Sequence, residues 1–199
     1  MSMRNFEFAK AQDLPQAAGA LSEQRYEVMS LAGGTDLLDE LKEGIRRPRK
    51  LVKLQGSGEE SALSWSKEDG LRLGALASLS AVQEHEAVRE RYPLVARALS
   101  LTASPQIRNM GTVGGNLCQR PRCWYYRDVE LHCRRKGGPT CFAVNGENQY
   151  HAVLGGRGCY IVHPSDLAPA LMAHDAVIHL VGPGGRRAMP LGGICLSYT

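Results

Sequence analysis

The segment that most constrains the fold runs from Tyr26 to Gln55. "YEVMSLAGG" is an apolar run ending in paired glycines, "TDLLDELKEG" has helical spacing up to Gly44, and "RKLVKLQ" is apolar again. A strand, a glycine turn, a helix and a second strand, in that order, predict parallel strands joined by a helical crossover. Upstream, "DLPQAAGALSE" puts Leu14, Ala17, Ala18 and Leu21 at helical spacing behind Asp13, a candidate N-cap. Residues 1–55 therefore predict helix–strand–helix–strand, a compact α/β unit.

The rest of the chain predicts a second unit. "SALSWS" and "LRLGAL" flank "KEDG" as a hairpin, and Ser80 and Gln83 in "SAVQEHEAV" fit a capping box. "PLVARALSL" predicts a helix with Leu94, Val95, Ala98 and Leu99 on its apolar side. Residues 104–160 are glycine-rich and loop-like; "CYIVHPSD" predicts a strand ending at Pro164, and "SDLAPALMAH" a helix. "AVIHLVGPGGRRAMPL" predicts a hairpin turning at Pro183–Gly185. A chain of 199 residues with 43% hydrophobic content can bury one core, or two small subdomains sharing an interface. The first residues have no signal-type apolar region, and no apolar run reaches the length of a membrane span. The expectation is a soluble intracellular protein in a reducing compartment, with no membrane partner.

Two glycine turns are candidate ligand sites. In "AGGTDLL" (Ala32, Gly33, Gly34, Thr35, Asp36, Leu37, Leu38), the glycines let backbone approach a ligand, and the helix that follows offers free N–H groups to a pyrophosphate. An ordinary tight turn is the alternative, and this turn alone favours it. "MGTVGGNL" adds Thr112, Gly114, Gly115 and Asn116. Neither turn has Rossmann or P-loop spacing, so a nucleotide site here is of another type.

"CQRPRCWYYRDVELHCRRKGGPTC", from Cys118 to Cys141, holds four of the six cysteines. Its basic residues, Arg120, Arg122, Arg127, Arg134, Arg135 and Lys136, face only Asp128 and Glu130, so this stretch carries the whole net charge of +4. In a reducing compartment clustered cysteines favour metal or redox chemistry over disulfides. Cys123, Cys133, Cys141 and Cys159 have the spacing C-x9-C-x7-C-x17-C, which is neither a ferredoxin nor a zinc-ribbon pattern. Spacing alone leaves a cluster and zinc both open. Basic residues interleaved with Trp124, Tyr125 and Tyr126 also suit single-stranded nucleic acid. That reading leaves the cysteines and both glycine turns unexplained, and no nucleic-acid partner is expected.

Together, "AGGTDLL", "SPQIRNMGTVGGNLCQRPRC" and "HPSD" resemble the FAD-binding (medium) subunit of the molybdenum hydroxylase and xanthine dehydrogenase family. The likeness is greatest to the bacterial aldehyde oxidoreductase type, which carries an extra 4Fe-4S cluster. The resemblance implies an α+β, two-subdomain FAD-binding fold of the PCMH type: a small α/β subdomain over 1–55, and a larger mixed-sheet subdomain over 56–199 with a cysteine-bearing insertion at about 118–159. It places the FAD pyrophosphate on Ala32–Leu38, with further contacts at Thr112, Gly115, Asn116 and Asp166. Asp166 could equally cap the helix after it. His163 reads as structural, and no catalytic residue is implied, because flavin carries the redox chemistry.

The same resemblance makes Cys123, Cys133, Cys141 and Cys159 the ligands of the 4Fe-4S cluster, with Cys118 adjacent and Cys195 a bystander. The basic residues would then offset the cluster's charge and the aromatics shield it. The implied function is electron transfer from a molybdenum-cofactor large subunit and a 2Fe-2S small subunit to FAD and an external acceptor. The alternative is a truncated, non-catalytic scaffold or zinc-binding domain without flavin. "LGGICLSYT" does not resemble the family's continuation, so the expectation is a chain without the family's C-terminal domain. The expected location is cytoplasmic, or periplasmic if a partner subunit carries an export signal.

Overall fold

The computed structural model describes residues 3–21, 26–56, 58–156 and 158–193. The N-terminal elements are β1 (Glu7–Ala11), α1 (Leu14–Ala20), β2 (Val28–Leu31), α2 (Leu37–Lys42) and β3 (Lys50–Leu54). The strands form a parallel sheet in the order β1-β3-β2, with Phe8 and Met29 both opposite Leu51. The expected parallel α/β unit is present, with one strand more than the sequence predicted. "EFAKA" has neither β-branched residues nor clear alternation, and it becomes a strand by pairing with the apolar "KLVKL".

Asp13 caps α1 as expected, its carboxylate accepting from the Gln16 N–H at 2.7 Å. Ala11, Ala17 and Val52 form the small core beneath α1, with Val28 and Leu54 packed against it. Gly44 ends α2 in the left-handed region at φ +74°.

Next come the hairpin β4 (Leu63–Ser66) and β5 (Gly70–Leu73), then α3 (Leu79–Glu84), α4 (Glu86–Arg91) and α5 (Pro93–Leu101). The predicted capping box at Ser80 is displaced by two residues: Ser78 is the cap, its Oγ accepting from the Ala81 N–H at 3.1 Å. The helix expected across "SAVQEHEAV" breaks at His85, which is extended (ψ 125°). Val82, Val88, Val95 and Leu99 are fully buried where α3, α4 and α5 meet, and with Val113 and Leu167 they make the larger core. Leu94, expected on the apolar side, is 48% exposed.

Residues 104–160 are more ordered than the glycine content predicted. They contain α6 (Pro105–Met110), α7 (Val113–Leu117) and α8 (Trp124–Arg127), with 3-10 turns at Arg134–Lys136 and Phe142–Val144. "CYIVHPSD" is not a strand: it finds no neighbour to pair with among the described residues. It leads to α9 (Leu167–Met172) and the hairpin β6 (Val177–Gly182) and β7 (Gly185–Pro190). Instead of the expected mixed sheet, the second half has two antiparallel hairpins around helices among the described residues. Among these residues no helix is long and apolar enough to cross a membrane. Cys195 lies outside them.

Gly19, in the last turn of α1, is solvent-exposed, and a Cβ there meets nothing within 4 Å. Gly19→Ala should therefore stabilise the protein by about 0.5 kcal/mol, through reduced freedom of the unfolded chain. Urea denaturation with an unchanged m-value checks it.

Candidate functional site

The first glycine turn lies at the carboxyl end of β2, where open parallel sheets bind ligands. Gly33 is required there by packing: a Cβ would stand 1.9 Å from the Met110 carbonyl oxygen and 3.2 Å from the Gly111 Cα. The structure thus sets the two glycine segments side by side. Gly34, at φ +79°, lies against the side chains of Leu31 and Leu38. Lys53 on β3 holds the turn from below, donating from Nζ to the Ala32 carbonyl at 2.6 Å. Among the described residues the N–H groups of Gly33, Gly34, Thr35 and Asp36 donate to no protein acceptor. They are free to bind an anion.

"MGTVGGNL" is the start of a helix, not a simple turn. Thr112 caps α7, its Oγ1 accepting from the Gly115 N–H at 3.1 Å. Leu79 N–H donates to the Gly111 carbonyl at 2.9 Å, and Val113 N–H to that of Ala77 at 3.0 Å, fixing α7 against α3. Gly115 is exposed and Asn116 buried. Asn116 Oδ1 accepts from the Ser165 hydroxyl at 2.5 Å, which joins this segment to "HPSD". The alternative role considered for Asp166 belongs to its neighbour: Ser165 Oγ accepts from the Ala168 N–H at 3.0 Å, whereas the Asp166 side chain caps nothing. Asp166 instead accepts from Thr102 Oγ1 at 3.3 Å. His163 is half-buried, and that burial pushes its pKa down, against a contribution from the Leu117 backbone.

Asp36 looks away from the turn and towards the cysteine segment. Its carboxylate accepts from the Arg120 N–H at 2.7 Å, from Arg122, and from Arg127 Nη2 at 3.1 Å. Behind it, α2 and α8 share a buried polar network. The Tyr126 hydroxyl donates to Glu40 and accepts from Arg46 Nη2 at 2.9 Å, with all three side chains buried. Burial, then the Glu40 charge, pushes the Tyr126 phenol well above its ordinary value. The arginine plane also stacks 3.4 Å over the Tyr26 ring. Glu40, Arg46, Lys53 and Ser165 were missed by sequence reasoning. Tyr126, expected with Trp124 and Tyr125 to shield a cluster, is instead buried against Glu40 and Arg46.

The four predicted ligand cysteines lie in one lobe. Burial pushes the Cys123 thiol up; the N–H groups of Tyr126 and Tyr125 draw it back, and the neighbouring Cys133 and Cys141 push it up further. Cys133 and Cys141 are drawn together by the bond from Arg134 N–H to the Thr140 carbonyl at 2.8 Å. Gly158, next to Cys159, abuts the Arg134 guanidinium, and a cavity of about 560 Å³ is lined by Tyr125, Arg134, Cys141, Phe142, Gly158 and Tyr160. Cys118 is exposed at the end of α7. Among the described residues no three His, Cys, Asp or Glu side chains converge as a site for a metal ion.

A parallel α/β unit facing a helical unit across two glycine segments defines the class. The family model described as the FAD binding domain in molybdopterin dehydrogenase matches residues 4–198, and the chain belongs to that family. It is 40% identical over 173 residues to the aldehyde oxidoreductase FAD-binding subunit PaoB of Escherichia coli, covering 85% of this chain and 54% of that one. It is 32% identical over 116 residues to the nicotinate dehydrogenase FAD-subunit of Eubacterium barkeri, covering 58% of this chain and 39% of that one. The chain thus spans about half the length, or less, of these relatives. Its fold matches the carbon monoxide dehydrogenase of Hydrogenophaga pseudoflava with a TM-score of 0.69 at 23% identity, over 97% of this chain and 53% of that one.

Two outcomes follow from these contacts. Gly33→Ala should cost about 1–3 kcal/mol, because the clash is with backbone that cannot rotate away. Tyr126→Phe should cost a similar amount, about 1–3 kcal/mol, by leaving Glu40 short of a donor. It should also speed amide exchange in α8, read by hydrogen-exchange mass spectrometry, whereas Gly33→Ala should not.

Proposed function

We propose that this chain is the flavin-binding, electron-transfer part of a molybdenum-dependent hydroxylase or dehydrogenase of the aldehyde or xanthine type. The observation that carries the reading is the contact of Gly33 with Met110 and Gly111, which joins both glycine segments into one site. FAD, when bound, supplies the redox chemistry, accepting electrons and passing them to an external acceptor. The residues present fit it: Gly33, Gly34, Thr35 and Asp36 offer unused N–H groups to a pyrophosphate, and Lys53 steadies the turn. In this reading Thr112, Gly115, Asn116 and Asp166 supply the further contacts from the helical side, where Gly115 and Asp166 are exposed and Thr112 and Asn116 buried. The Asp36 carboxylate is taken up by Arg122 and Arg127, so only its backbone is available to the ligand. The separate cores, small beneath α1 and larger around α3–α5, support a division into two FAD-binding subdomains near residue 55.

Within this reading Cys123, Cys133, Cys141 and Cys159 hold a 4Fe-4S cluster, which supplies one-electron transfer when present. The donor chemistry fits: these thiols are free, share one lobe, and sit among Arg134, Tyr125 and Trp124. Tetrahedral zinc on the same four thiols is the rival. The partners are a molybdenum-cofactor large subunit and a 2Fe-2S small subunit, and substrate choice belongs to the former. The cytoplasm is the proposed location, or the periplasm should a partner carry an export signal.

Anaerobic purification of the full chain tests the reading. Flavin absorption bands with a broad iron–sulfur shoulder are expected; a colourless, zinc-containing protein would overturn it in favour of a flavin-free scaffold. Cys133→Ser should abolish the iron–sulfur shoulder and leave the flavin, while Cys118→Ser should leave both. Equal loss of iron from the two variants would refute the ligand assignment.

A further inference from the structure

His151 was not among the predicted site residues, and the structure brings it onto one of them. Its Nε2 lies 3.1 Å from Cys123 Sγ. The imidazole is buried, with its ring against the Trp124 ring at 5.2 Å and 77° and tilted beside Tyr125 at 6.0 Å. The backbone fixes it from both sides. His151 N–H donates to the Asn148 carbonyl at 2.8 Å, and Ala152 N–H to that of Tyr160, also at 2.8 Å, beside Cys159. Asn148 is tied in turn to the Ala143 carbonyl at 3.1 Å. The ring is therefore held in place by packing and backbone independently of its contact with sulfur.

The other ring nitrogen decides the direction of that contact. Nδ1 is buried and meets no hydrogen-bond partner among the described residues. A neutral imidazole carries one N–H and one bare nitrogen. Buried N–H groups left without an acceptor are rarer than under-used acceptors, so the bare nitrogen belongs at Nδ1 and the proton at Nε2. A metal-bound thiolate has no proton to give, so this contact is an N–H donated to sulfur.

We propose that His151 is a positioning residue for the Cys123 thiolate, its Nε2–H donating to Sγ and raising the reduction potential of the cluster that Cys123 holds. This rests on the cluster reading above. Hydrogen bonds to ligand sulfurs withdraw charge and favour the more negative, reduced state. The change is one electron entering the cluster; the proton stays on Nε2, and no bond to His151 forms or breaks. The imidazole is buried, so the one donor to sulfur acts in a setting of low polarity.

The test is an EPR-monitored redox titration of the full chain, purified anaerobically and reduced with dithionite. His151→Phe keeps a ring against Trp124 and Tyr125 but removes the donor. Its iron content should match the unsubstituted chain, and its midpoint should fall. At the unsubstituted midpoint, the reduced-to-oxidised ratio should drop about tenfold, a shift of about 59 mV for a one-electron couple. Iron retained with an unshifted midpoint overturns the inference and leaves the cluster reading standing. A chain that binds no iron defeats the cluster reading, and the inference falls with it. A second measurement needs no variant: pulsed EPR of the reduced chain with histidine isotopically labelled at nitrogen. Weak coupling to a histidine nitrogen is expected. No coupling overturns the inference, and so does the strong coupling of a directly bonded nitrogen, which would make His151 a ligand.

Discussion

The buried Glu40 carboxylate is the point on which the two halves of the molecule depend. It is 1% exposed, and a carboxylate so deeply buried needs polar partners. Arg46, its Nε 3.6 Å from the Glu40 carboxylate, and the Tyr126 hydroxyl from the cysteine segment provide them. Such a pair gives little net stability against an apolar alternative, yet breaking it is costly because one charge is left buried and unpaired. The consequence is positional. The helix that begins at the first glycine turn cannot bury its inner face unless α8 brings Tyr126 to it, so the cysteine lobe docks in one place relative to the flavin turn.

Asp36 extends the same logic to the surface of the site. A free carboxylate at the mouth of the turn proposed to bind a pyrophosphate would repel it. Here it is engaged by Arg122 and Arg127, both from the cysteine segment. Those arginines, which in sequence read as compensation for a metal cluster, thus bind a carboxylate of the first glycine turn. Arg134 lies elsewhere, beside Gly158 and Cys141. The basic stretch therefore divides between the glycine turn and the cysteine lobe.

Much of this was legible in the sequence where the signal is local. The glycine turn after β2, the Asp13 cap, both hairpins and the buried Val95 and Leu99 of α5 follow from short-range pattern. What escaped was set by partners distant in the chain. "EFAKA" is a strand only because β3 lies beside it. The cap at Ser78 displaced Ser80 because the backbone next to it bridges Thr112. Glu40 and Tyr126 are separated by 86 residues, and His151 and Cys123 by 28, so no spacing rule could have joined them. The proposed ligand role of the four cysteines came only through resemblance, since their spacing matches no compact metal motif.

On the proposed cluster reading, the group held by the cysteine lobe would be structural as well as redox-active. Between Pro121 and His151 its buried residues are Pro121, Tyr126, Cys133, Ala143 and His151, and its regular structure is one short helix and two 3-10 turns. Tyr126 spends its burial on the latch to α2, which leaves almost no apolar interior to hold the remainder. Segments that cannot bury enough surface of their own are ordered by metal ligation, whose binding energy becomes folding energy. Four thiolates from positions spread between Cys123 and Cys159 would close the lobe's long loops at once. On that reading electron transfer and the folding of the lobe share one origin: the geometry that brings His151 to Cys123, with Trp124 and Tyr125 beside it, is the geometry that a bound group would maintain.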